Sequence, residues 1–186
     1  MTAVVGNVRV GITGAVSKAP AGSTAPTDST TALDAAFIDS GAISEDGVTL
    51  TLPDAGDKTI LKMWQNGAQV RTLRSTSDDS PTISFTFLET NKTAVETYFG
   101  ATVTQTATHG TFDYANTVPT AKAYVLDVLD GTFHHRYWVP AGVRASVGDL
   151  VYKNDEPVGY QVTIDCDVDP TTGINFRGWM TDLKTP

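Results

Sequence analysis

The sequence predicts a mainly β protein, an antiparallel sandwich or rolled barrel of two sheets carrying one short α-helix. Three observations predict it. Period-two runs of β-branched and aromatic residues recur along the chain, punctuated by turn signals such as Asn66-Gly67 and Asp130-Gly131. Helical spacing is confined to the stretch between Thr90 and Gly100. The strands do not alternate with helices, so nothing calls for a parallel sheet.

A chain of 186 residues, 40% hydrophobic and 18% charged, fits a single globular domain spanning 1–186 with a core of its own. It has no apolar run of about 18 residues, and its start, MTAVVGNVRVG, lacks the basic residues and long apolar core of a signal peptide. A soluble, unsecreted protein is therefore expected. Cys166 stands alone, which excludes an intramolecular disulfide and suits folding in a bacterial cytosol. The net charge of −8, with 13 scattered basic residues, argues against a surface that grips nucleic acid.

Asn7–Val16 reads as the first strand, with Val8, Val10 and Ile12 alternating with Arg9 and Gly11. Residues 17–32, SKAPAGSTAPTDSTTA, hold almost no large apolar side chain, so a mobile arm or long loop is expected unless a partner covers it. Strands resume at Phe37–Ile43 and Gly47–Leu52, and Pro53–Asp57 interrupts them. Lys58–Trp64 and Gln69–Ser75 form a hairpin about Asn66-Gly67, where both turn residues tolerate positive φ. The polar loop Ser75–Pro81 leads into Ile83–Leu88, which places Ile83, Phe85 and Phe87 on one face. The helix follows, with Thr90 as its cap, Ala94, Val95, Tyr98 and Phe99 as its buried stripe, and Gly100 as its stop. Its expected place is the open end of the rolled sheet.

The Thr-rich stretch 101–114 predicts one irregular strand. Lys122–Leu129 and Thr132–Val139 flank Asp130-Gly131, and Pro140 closes that hairpin. Val143–Tyr152 and Val158–Val168 surround the turn Lys153–Pro157, and Ile174–Met180 reads as a last strand. The sum is roughly nine or ten antiparallel strands and one helix.

Few residues suggest chemistry. His134 and His135 are adjacent, so on a strand they face opposite ways, and His109 is remote. Asp165, Asp167 and Asp169 alternate like the start of a calcium loop, but Pro170 stands where Gly is needed and Phe176 where the bidentate Glu belongs. They read instead as a row of acids on one side of a strand and its exit. Asn91-Lys92-Thr93 matches a glycosylation triplet without a secretion signal, and Cys166 reads as a buried strand thiol. There is no Gly-rich phosphate loop, GxSxG elbow or HExxH, and Glu89 and Glu96 lack an evident partner acid. Neither an enzyme, a metal nor a cofactor is expected. Trp64, Trp138 and Trp179, with Tyr124, Tyr137, Tyr152 and Tyr160, read as core or subunit contacts; a carbohydrate-binding sandwich is the rival use for them.

The run ISFTFLETNKTAVETYFG at 83–100, the earlier ISEDGVT, the WQNG turn and the later Asp-Gly hairpin follow one another in a distinctive order between Asn7 and Asp182. In that order the chain resembles the major tail protein of long-tailed, siphovirus-type bacteriophages, whose rings stack into the tail tube. The resemblance implies hexameric rings whose inner sheets join into a continuous barrel around a lumen, with a tail terminator as the alternative of the same class. It implies a virion protein made in the host cytoplasm, self-associating and meeting tape-measure, tail-tip and terminator proteins. Phage DNA would pass through without specific binding. With six copies at −8 each, acids on the lumen wall would repel DNA and keep it centred. The expected wall acids are Asp165, Asp167 and Asp169, with Asp127 contributed by the neighbouring hairpin.

Overall fold

The strands form where apolar and polar side chains alternate, and the clearest case is β6 (Thr82–Phe87), which buries Ile83, Phe85 and Phe87 and turns the residues between them outward. The structure is a computed structural model that describes residues 8–183. Eight strands make one antiparallel sheet: β1 (Thr13–Pro20), β2 (Ile38–Asp39), β3 (Ile43–Thr51), β6, β9 (Lys122–Asp130), β10 (Phe133–Val147), β11 (Tyr160–Cys166) and β12 (Arg177–Met180). Their order is β2-β1-β9-β10-β11-β6-β3, with β12 also on β10. Two hairpins stand apart, β4 (Lys58–Lys62) with β5 (Gln69–Arg74) and β7 (Thr104–Gln105) with β8 (Gly110–Thr111). The helix α1 spans Lys92–Phe99.

The 15-residue β10 folds this sheet into two layers. Its first half pairs with β9 and, over His135–Trp138, with β12; its second half pairs with β11 from Gly142 to Val147. The strand thus leaves one layer and enters the other. Side chains from both layers meet in one core: Val16, Tyr124 and Leu126 from β1 and β9, and Phe85, Phe87, Val162 and Ile164 from β6 and β11. Burying a side chain such as Phe87, fully removed from solvent, contributes on the order of 1.5–3 kcal/mol.

Pro140 was expected to end a strand, yet β10 runs through it. The β9 register slips between Val139 and Gly142, the β12 pairing stops at Trp138, and the β11 pairing begins at Gly142. The missing N–H therefore falls where no ladder needs it. Val143–Val147, expected to begin a separate strand, is the second half of β10.

The first strand also differs from expectation. Asn7 lies outside the described residues; Val8, Val10 and Ile12 are exposed, and β1 begins at Thr13. It continues through Ser17–Pro20, the start of the expected arm, because β9 on one edge and β2 on the other supply backbone partners that small side chains do not obstruct. The turn at Asn66-Gly67 is wider than a two-residue turn. Met63 N–H donates to Ala68 O at 2.8 Å, and of the two residues Gly67 alone has positive φ. The single irregular strand expected in 101–114 is the short β7–β8 hairpin, and the last strand is confined to Arg177–Met180.

Asn91, not Thr90, caps α1: its Oδ1 accepts from Ala94 N–H at 2.8 Å, while Gly100 closes the helix at φ 68°. The Thr90 hydroxyl instead meets the Tyr160 hydroxyl at 3.0 Å. Tyr98 packs edge-on against Tyr160 and donates to Gly148 O at 2.6 Å, which fastens the helix against β11.

Candidate assembly surfaces

On β11 the core takes Val162, Ile164 and Cys166, so Gln161, Thr163 and Asp165 point the other way. Register places Thr163 opposite Ser84 and Asp165 opposite Thr82, while Thr49 and Thr51 of β3 stand opposite Ser84 and Thr82. Residues opposite one another share a face, so the outside of β3-β6-β11 is a wall of hydroxyls ending in a carboxylate. Ser84 and Thr163 hydroxyls lie 3.0 Å apart on it.

The three expected acids divide into a pair and a single residue. Asp167 accepts from the Ser80 hydroxyl at 3.1 Å just beyond the strand. Burial, and then the charges of Asp167 and Asp79, push the Asp165 carboxyl above its ordinary pKa. Asp169 turns away into its own loop, accepting from Thr172 N–H at 2.8 Å and its hydroxyl at 2.7 Å, contacts that lower its pKa. Asp79 is the acid that sequence reasoning missed. Its signal is the Asp78-Asp79 pair just ahead of β6, the strand that pairs with β11.

Asp127 belongs elsewhere. It sits on β9, in the other layer, where Arg136 Nε donates to its Oδ1 at 2.6 Å and Nη2 to its Oδ2 at 3.0 Å. Its charge is matched by a guanidinium that is itself buried, so Asp127 does not extend the acid row. His134 Nε2 lies 3.3 Å from the same carboxylate but off hydrogen-bonding geometry, and His135 Nε2 meets Asp182 at 2.9 Å. Arg9, stacked on Phe133, also holds Asp182, whose pKa falls to about 2 through these two partners. Burial, with Asp165 and Asp167 alongside, pushes the Cys166 thiol up to about 12 and makes it a poor nucleophile.

On α1, Ala94 and Tyr98 are buried, and Val95 and Phe99 are half-buried. Thr93 and Thr97, left out of the expected stripe, are buried too. Thr97 is tolerated because its hydroxyl donates to Thr93 O at 2.6 Å. Phe99 lies against Tyr98 and Phe112, at ring separations of 4.9 and 4.6 Å.

The β4–β5 hairpin pairs with no strand of the main sheet. Ile60, Leu61, Met63, Val70 and Leu73 are exposed along it, and Trp64 at its tip is 98% exposed. A two-stranded hairpin is marginal alone, and clustered exposed apolar residues mark an interaction surface. The sheet ends in two further edges, β2 and β3, of which β3 is nine residues long. Long open edges invite pairing with another chain.

A model of the phage tail tube protein family matches residues 1–168. The chain belongs to that family. No curated protein matches it. Tail tube proteins are structural components of the virion tail and assemble with copies of themselves. Among the described residues no helix is long and apolar enough to cross a membrane, and no three His, Cys, Asp or Glu side chains converge as a metal site.

Proposed function

We propose that this tail tube protein forms hexameric rings of the siphovirus type, which stack around a lumen through which the genome is delivered. The observation that carries the reading is the β4–β5 hairpin, which projects apolar side chains and Trp64 with nothing of its own chain to cover them. Seated on a neighbouring subunit, it buries those side chains and gains the third-strand or packing partner that an isolated hairpin lacks. The Pro53–Asp57 loop leading into it becomes ordered in the same step.

The hydroxyl wall of β3-β6-β11 faces the lumen, with Asp165 and Asp167 at its margin and Asp169 in the loop just beyond it. Hydroxyls offer DNA no phosphate-binding charge, and the acids repel it, so the wall lets DNA slide. The tape-measure protein occupies that lumen before ejection, and tail-tip and terminator proteins bound the tube. No catalytic step is involved.

Trp64→Asp with Leu61→Ser tests the hairpin's role. The double variant is expected to keep the thermal midpoint of the wild-type subunit and to sediment as a subunit under conditions where wild type forms multimers. Multimers of wild-type size and amount from the variant would refute it.

A further inference from the structure

At one end of the sandwich the inward-facing positions stop being apolar. Lys18 follows Val16 on the core side of β1, Lys122 precedes Tyr124 and Leu126 on that of β9, and Arg144 follows Gly142 on that of β10. Helix α1 lies across this end and adds Lys92, and the four cations line a cavity of about 380 Å³. In a chain of net charge −8 with 13 basic residues, this is a local reversal of sign.

The charges are poorly compensated from within. The one carboxylate in the lining, Glu96, accepts from Val103 N–H at 3.0 Å and lies 3.9 Å from Lys92 Nζ. Lys18 Nζ donates to the Thr97 hydroxyl at 2.9 Å, and Arg144 Nη1 donates to Tyr98 O. The Lys122 ammonium has no acidic or hydrogen-bonding partner among the described residues. Burial chiefly, with Lys122 adding to it and Glu96 opposing it, lowers the Lys18 pKa to about 8. Cations held in a partly buried cavity at such a cost mark a place for an anion, and the volume suits a small ligand.

We propose that this cavity is an oxyanion site that binds a ligand carrying at least two carboxylate or phosphate charges through Lys18, Lys122 and Arg144. That chemistry has two sources, a free polyanion or paired acidic side chains of a second copy of this chain. The free-polyanion property does not depend on ring formation.

Lysine-selective reductive methylation of dilute wild-type protein, read by mass spectrometry with citrate as probe, tests it. Citrate is expected to protect Lys18 and Lys122 saturably, against chloride at matched ionic strength, while Lys58, Lys62 and Lys153 react unchanged. Lys122→Gln is expected to weaken the protection of Lys18 by about tenfold or more, the loss of one charge-assisted hydrogen bond. Protection equal at all five lysines, absent altogether, or indifferent to Lys122→Gln would overturn the site. Repeating the measurement on assembled protein separates the sources. Lys18 protected without citrate identifies a second copy as the occupant, and Lys18 still protected only by citrate identifies a free anion.

Discussion

Arg136 and Asp127 stand directly opposite one another on β10 and β9, joined by two hydrogen bonds of 2.6 and 3.0 Å, with Arg136 only 4% exposed. The same guanidinium donates to the carbonyls of Asp28 at 3.1 Å and Thr31 at 2.6 Å. A single buried cation therefore ties the long loop after β1 to the middle of the sheet.

Arg136→Ala is expected to destabilise the subunit by about 3–5 kcal/mol, because it leaves Asp127 charged and unmatched away from water. Urea unfolding measures the loss. Amide exchange at Thr30 and Thr31 should accelerate more than exchange on β6, since the loop loses its tether while β6 does not.

Phe87 and Phe99 should separate in the same assay. Phe87 is fully buried in the shared core, and Phe87→Ala is expected to cost about 3–5 kcal/mol. Phe99, half-buried and packed only against the margin of that core, should cost clearly less. Equal losses in urea unfolding would mean that α1 is seated more deeply than the structure places it.

Local pattern made β6, α1 and the β9–β10 hairpin legible, because alternation, helical spacing and an Asp-Gly turn each lie within a few residues. The features that escaped depend on residues far apart in sequence. Pro140 looks like a terminator until β10 is seen to exchange β12 for β11 around it. Residues 17–32 look like an arm by composition, but β9 and β2 draw in the first four and Arg136 holds Asp28 and Thr31, more than a hundred residues away. The acid row was legible as period two only while the chain stayed extended. Asp169 leaves it by turning onto Thr172, and Asp79 arrives through strand pairing that the sequence does not display.

Lys18 should leave a mark on the pH dependence of stability. Its pKa is about 8 in the fold against 10.5 for the free side chain, so the unfolded chain binds the additional proton between those values. Stability from this group therefore rises with pH across that window and is lowest below it. Lys18→Met is expected to flatten the rise and to stabilise the subunit at neutral pH by up to about 3 kcal/mol. Thermal midpoints measured from neutral pH to about pH 10, before the raised pKa values of Tyr98 and Tyr124 act in the opposite sense, provide the check.

Changing Asp165, Asp167 and Asp169 together to Lys should leave tube assembly intact and block genome delivery, since added cations on a lumen wall hold phosphates. Complementation of a phage lacking its own tail tube gene reads both properties, tubes by microscopy and infectivity by plaque count. Normal infectivity would move these acids to the outside of the tube.

Ring symmetry tests the account most directly. Electron microscopy of concentrated wild-type protein, with class averages of end-on views, is expected to show stacked rings of sixfold symmetry around an open lumen. Protein that stays as single subunits at every concentration, or rings of another symmetry, would contradict the proposed tube.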